Sequence, residues 1–84
     1  MSAFRVSSSV IMEVGDRAIE VTSGFVFRQT RTILLSDVVS ATVSGNSHRS
    51  LELHLADGSS TRYRFGSARE AEKAHAAIAQ ALQG

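Results

Sequence analysis

Apolar and polar residues alternate through the first three quarters of this chain, the period of strands with one buried face. Val10, Met12 and Val14 lie on one face of a first strand. Phe4 and Val6 share that parity, so the strand begins earlier or follows a flexible arm over residues 1–9. Ile19 and Val21 mark a second strand, Phe25 and Phe27 a third, and Ile33 and Leu35 a fourth. Val39, Ala41 and Val43 give a fifth, Leu51, Leu53 and Leu55 a sixth, and Tyr63 and Phe65 end a seventh.

The segments between these runs predict the registers. Gly15-Asp16 suits a two-residue type II′ turn, which pairs Met12 with Ile19 and Val10 with Val21. Thr22-Ser23-Gly24 suits a three-residue loop with glycine in the left-handed position, pairing Val21 with Phe25 and Ile19 with Phe27. The loop Gln29-Thr30-Arg31 then sets Phe27 against Ile33 and Phe25 against Leu35. Ala56-Asp57-Gly58 has the same three-residue shape and pairs Leu53 with Thr61 and Leu51 with Tyr63. A tight Asp-Gly turn is rejected, because it would set Leu53 against Arg62.

After Phe65 the period becomes helical. Ser67 and Glu70 form a capping box, and Ala71, Ala74, His75, Ile78 and Leu82 follow at helical spacing over residues 67–83. The expected fold is mainly β: about seven antiparallel strands in two packed layers, bent at Ser36-Asp37 and closed by one C-terminal helix. The expected core is Met12, Ile19, Val21, Phe25, Phe27, Ile33, Leu35, Val39, Leu51, Leu53, Tyr63, Phe65, Ile78 and Leu82. On that register Phe27→Ala should cost about 3–5 kcal/mol.

Length and composition fit one domain over residues 1–84. The hydrophobic fraction of 43% permits a compact core, and the absence of cysteine leaves apolar packing to hold it. The net charge of +1 gives no global field for nucleic acid or membranes. No apolar run reads as a signal peptide or membrane span, so the default location is the cytoplasm.

Four strands, three strands and a capping helix is the order of the pleckstrin-homology (PH) superfold, and the chain resembles it most over residues 25–82. The run Thr32-Ile33-Leu34-Leu35-Ser36-Asp37-Val38-Val39-Ser40-Ala41-Thr42-Val43 is similar to the I-x-L-x-D-I-x-x-V passage of bacterial PH-like and GRAM-like domains. There the fourth strand ends and the fifth begins. The later Leu-x-Leu, Asp57-Gly58 and Tyr63-x-Phe65 continue the likeness. The resemblance implies a PH-like barrel or sandwich that acts as a binding or assembly module, not an enzyme. PH domains often hold phosphoinositides through basic residues of the first hairpin. Here that tip is Gly15-Asp16-Arg17, without lysine, so membrane lipid is not the expected partner.

Chemistry-bearing residues are sparse. His48, His54 and His75 are not at ligand spacing, so no metal or cofactor is expected. No nucleophile elbow or carboxylate pair points to catalysis. The aromatics belong to the core, which argues against stacking on RNA. Two surfaces remain. Ile11, Val26 and Leu34, with Glu20 between them, are expected in one row across the outer face of the first sheet, a candidate interface. Arg62 should oppose Glu52, and together with Arg49, Arg64 and His48 it could form a basic strip for an anion; Arg28 and Arg31 are further anion candidates. The leading expectation is therefore a non-catalytic interaction module that binds another protein or itself as a homo-oligomer. The alternative is a module for an acidic head group or peptide, held by arginine.

Overall fold

Two antiparallel sheets follow from these alternating runs, and the described residues form seven strands and a C-terminal helix. The computed structural model describes residues 2–24, 26–44 and 49–83. The first sheet joins β1 (Ser2–Ser7), β2 (Val10–Val14), β3 (Ala18–Ser23) and β4 (Gln29–Leu34) in sequence order. A single 3₁₀ turn at Leu35–Asp37 makes the predicted bend. It leads to the second sheet, β5 (Val38–Ser44), β6 (Ser50–Leu55) and β7 (Ser60–Arg64). Helix α1 (Ala68–Gln83) packs mainly on β5 and β1, across one side of the sandwich.

Residues 1–9 are not a free arm where the structure describes them. β1 pairs along β2, with Phe4 opposite Met12, after a turn at Ser8-Ser9. Val6 is buried as a result. Shared parity let one long strand and two hairpin-linked strands look alike in sequence.

The first sheet keeps the predicted parity but not the predicted registers. Positive φ among the described glycines is confined to Gly24 and Gly58, so Gly15 does not supply the conformation a type II′ turn needs. Instead the Gly15 N–H donates to the Ala18 carbonyl at 2.9 Å across a four-residue turn. Pairing therefore shifts by two: Val14 opposes Ile19 and Met12 opposes Val21. An even shift leaves the same side chains inward.

Among the described residues the expected third strand does not form. The Gly24 N–H bonds the Ser9 carbonyl at 3.0 Å, and its φ of 100° turns the chain out of the sheet. The fourth strand of the structure starts only at Gln29, opposite Ser23, so Ile19 faces Ile33 rather than Phe27. Phe27 is consequently 88% exposed and Val26 85%, which overturns the core role given to Phe27. Phe25 lies outside the described residues.

The second sheet follows expectation more closely. Leu51 opposes Tyr63 and Leu53 opposes Thr61, with the Leu55 N–H on the Ser59 carbonyl at 2.9 Å. Asp57 closes the loop by accepting from the Ser59 hydroxyl at 2.6 Å and the Ser59 N–H at 2.9 Å. These bonds hold its carboxyl below the usual aspartate range. One correction concerns Val39. The β5–β6 register slips between Val38 and Ser40, so Val38 turns into the core and Val39 faces out, 66% exposed.

The core is Val6, Met12, Val14, Ile19, Val21, Ile33, Leu35, Val38, Leu51, Leu53 and Phe65 of the sheets and connections, roofed by Ala71, Ala74 and Ile78 of α1. Tyr63 packs against it half-buried, and Leu82 is exposed rather than buried. Ser67 is the N-cap, its hydroxyl accepting from the Glu70 N–H at 3.2 Å, a contact worth about 1 kcal/mol. His75 Nε2–H donates to the Ala41 carbonyl at 2.9 Å and ties α1 to β5.

Candidate functional site

The two sheets do not meet everywhere. The Gly66 N–H, just past β7, donates to the Val6 carbonyl of β1 at 3.0 Å. Beyond that bond β1 ends at Ser7, and residues of β4 and β7 line a common gap. The gap is a groove of about 510 Å³ lined by residues of β1–β4 and β7. That volume lies in the range of small-ligand pockets.

Its floor is apolar. Val6 and Val21 are buried members of the core, and Val10 packs beside them. Its walls are polar and basic: Gln29, Thr30 and Arg31 from β4, and Arg62, Tyr63 and Arg64 from β7. No acidic side chain lines it. A second cavity, of about 580 Å³, opens between α1 and the Gly15 turn, but Asp16 is its only charged lining residue and nothing opposes it.

Arg31 gives the groove its character. It sits opposite Val21, so it lies on the inward face of the first sheet, two residues before buried Ile33. An inward charge at an edge strand also discourages edge-to-edge pairing. Across the gap, the Tyr63 hydroxyl is buried and makes no hydrogen bond among the described residues. Burial raises the Tyr63 pKa above the usual tyrosine value. Arg31 opposes that rise through its charge and through a side-chain hydrogen-bonding contribution to the phenolate, although no bond of standard geometry reaches the hydroxyl among the described residues. At neutral pH the phenol is therefore neutral, and its proton has no acceptor among the described residues, because the guanidinium beside it can only donate.

Tyr63 is the only tyrosine, so alkaline absorbance titration reports this site alone. The expected midpoint lies above that of free tyrosine, and Arg31→Gln should move it higher still, by removing the charge that favours the phenolate. A downward or absent shift in the variant would mean that Arg31 and Tyr63 do not share the groove.

The sequence-predicted anion residues separate into two groups. Arg31, Arg62 and Arg64 come together at the groove. Arg28 stands in the loop before β4, and Arg49 precedes β6, its carbonyl accepting the Phe65 N–H at 2.7 Å; neither lines the groove. His48 lies outside the described residues. Arg62 meets Glu52 as expected, Nη2 to Oε2 at 2.9 Å, and His54 joins the same carboxylate at 3.2 Å. This exposed pair contributes well under ~1 kcal/mol. Arg31 and Arg64 have no ion-pair partner among the described residues.

The expected apolar row does not form. Ile11 opposes Thr22, and Thr22 opposes Thr30, their hydroxyls 3.1 Å apart. Leu34 opposes Ala18, and Val26 is in the loop between β3 and β4. Ile11, Val26 and Leu34 are each exposed but stand on different rows. The register shift and the early end of β3 pull them apart.

Sequence reasoning missed the hydroxyl of Tyr63, Gln29 and the valine floor. The signal for Arg31 was available: its parity matches Ile33 and Leu35, an inward position for a charge. Among the described residues no three His, Cys, Asp or Glu side chains gather as a metal site, and no helix is long and apolar enough to cross a membrane. No family model, curated protein or solved structure matches the chain.

Proposed function

We propose that this protein is a non-catalytic binding module, PH-like in its order of elements, that takes a ligand with an anionic group and an apolar body in the groove between β4 and β7. The carrying observation is that groove: a valine floor, a buried phenol with no hydrogen bond among the described residues, an inward Arg31, and Arg62 and Arg64 at the rim, of which Arg62 is already paired with Glu52. A charge-assisted contact there is stronger than one on open surface, because the apolar floor excludes water from one side. The anion sits between Arg31 and the Tyr63 hydroxyl, with Arg62 and Arg64 at the rim, and the apolar body covers Val6, Val10 and Val21. Self-association through the outer face of the first sheet has lost the continuous row that motivated it.

The test uses 1-anilinonaphthalene-8-sulfonate, an apolar body carrying one anion, titrated by fluorescence against the folded protein. Saturable binding is expected. It should weaken as salt rises, because an arginine–anion contact is screened. Arg31→Gln should weaken it roughly tenfold, the loss of one hydrogen bond to a charged group. Equal affinity in both proteins at every salt concentration would sink the proposal.

A further inference from the structure

The outer edge of β7 carries more information than its side chains. The Phe65 N–H bonds the Arg49 carbonyl, and the Leu55 N–H bonds the Ser59 carbonyl, so residues 59, 61, 63 and 65 direct their backbone groups toward β6. In an antiparallel ladder the alternate residues direct theirs the other way. Ser60, Arg62 and Arg64 therefore present N–H and C=O groups to the groove, and they have no backbone partner among the described residues. Gly66, next in that alternation, already uses its N–H on the Val6 carbonyl of β1. β1 begins a ladder on this edge and abandons it after one bond.

We infer that the groove takes an extended acidic peptide, added as a further strand to the free edge of β7, with acidic and apolar residues in strict alternation. This rests on the binding reading above and specifies its ligand. The alternation follows from the pleat. Residues of an added strand opposite Arg62 and Arg64 share the outer face with those two guanidiniums; Arg62 is already engaged by Glu52, so the opposite charge is favoured chiefly beside Arg64. Residues opposite Thr61 and Tyr63 point inward onto Val6, Val10 and Val21, where an apolar side chain is favoured. β7 is five residues long, so the recognised core is about that length. The edge of β4 is the poorer template. Its outward side chains are Thr30, Thr32 and Leu34, which carry no charge for an acidic strand to meet.

The experiment compares fluorescein-labelled peptides by polarisation. Glu-Val-Glu-Val-Glu-Val is set against Glu-Glu-Glu-Val-Val-Val, of equal composition and charge. Two further versions of the first carry N-methyl groups on alternate amides, one set on the odd positions and one on the even. The alternating peptide should bind at least tenfold tighter than the blocked one. One N-methyl set should abolish binding and the other retain it, because only one row of amides faces β7. Arg64→Glu should weaken the alternating peptide about tenfold or more, and circular dichroism confirms that this exposed variant is folded. Equal binding of the alternating and blocked peptides, or equal effects of the two N-methyl sets, would overturn the strand-addition inference. If 1-anilinonaphthalene-8-sulfonate still binds in an Arg31-dependent way, the groove reading survives that failure; if it does not, both fall. Arg64-dependent binding to vesicles of anionic phospholipid, with no preference among the peptides, would also overturn the inference and give the site to a head group.

Discussion

Phe65→Ala is expected to cost about 3–5 kcal/mol, whereas Phe27→Ala should leave stability within about 0.5 kcal/mol of wild type. The two residues have the same side chain and matching parity in the sequence, and the structure places them at opposite extremes. Phe65 is 2% exposed and closes the core where β7 leads into α1. Its truncation leaves a void that the other core side chains cannot fill without leaving their own rotamers. Phe27 is 88% exposed in the loop between β3 and β4, so removing its ring sacrifices almost no buried area. In a domain of this size each kcal/mol moves the melting temperature by about 4–8 °C, so Phe65→Ala should lower it by at least about 12 °C. Thermal unfolding followed by circular dichroism reads both variants on one scale. A large loss from Phe27→Ala would restore the strand register in which that residue faces Ile19 and Ile33. A small loss from Phe65→Ala would mean that the junction of β7 and α1 is not part of the core.

Why the sequence misled at Phe27 and not at Phe65 is a matter of what alternation encodes. Parity reports which face a side chain takes if the strand continues; it does not report where the strand stops. Gly24 stops β3, and the decisive fact is the bond from its N–H to Ser9, which comes from a different hairpin. Val39 repeats the lesson on a smaller scale. Val38 and Val39 are equally apolar, and the bulge that selects Val38 for the core arises from the pairing of β5 with β6. The Asp57-Gly58 hairpin was legible because its alternatives differed in chemistry: one put Leu53 opposite Thr61, the other put it opposite Arg62. The Ser67 cap was legible because capping is local, with the hydroxyl and the N–H it satisfies three residues apart. Of the groove, only the arginines were visible. Arg62 and Arg64 were placed by the last hairpin, but their approach to Arg31 depends on the gap between two sheets, which no local signal records.

Gly24→Ala should be the costliest glycine substitution in the described chain, at about 3 kcal/mol or more, against about 1 kcal/mol for Gly58→Ala. Both glycines hold a positive φ, 100° and 90°, where a Cβ meets its own backbone. Alanine at either site also narrows the unfolded ensemble, which returns about 0.4–1 kcal/mol. At Gly58 nothing else lies within 4 Å of the added methyl, so backbone strain is the whole cost. At Gly24 the methyl would strike the Phe27 carbonyl, a backbone group that moves only if the loop moves with it. That movement also pulls on the Gly24 N–H bond to Ser9, which holds the loop against the first hairpin. The consequence reaches the groove, because Gln29 and Arg31 follow directly from this loop. Gly24→Ala should therefore lower the melting point and weaken 1-anilinonaphthalene-8-sulfonate binding together, whereas Gly58→Ala, in the turn between β6 and β7, should produce a smaller melting shift. Chemical denaturation of the two variants decides the ordering. Equal losses would show that the loop yields freely, and that the position of Arg31 does not depend on how the chain leaves β3.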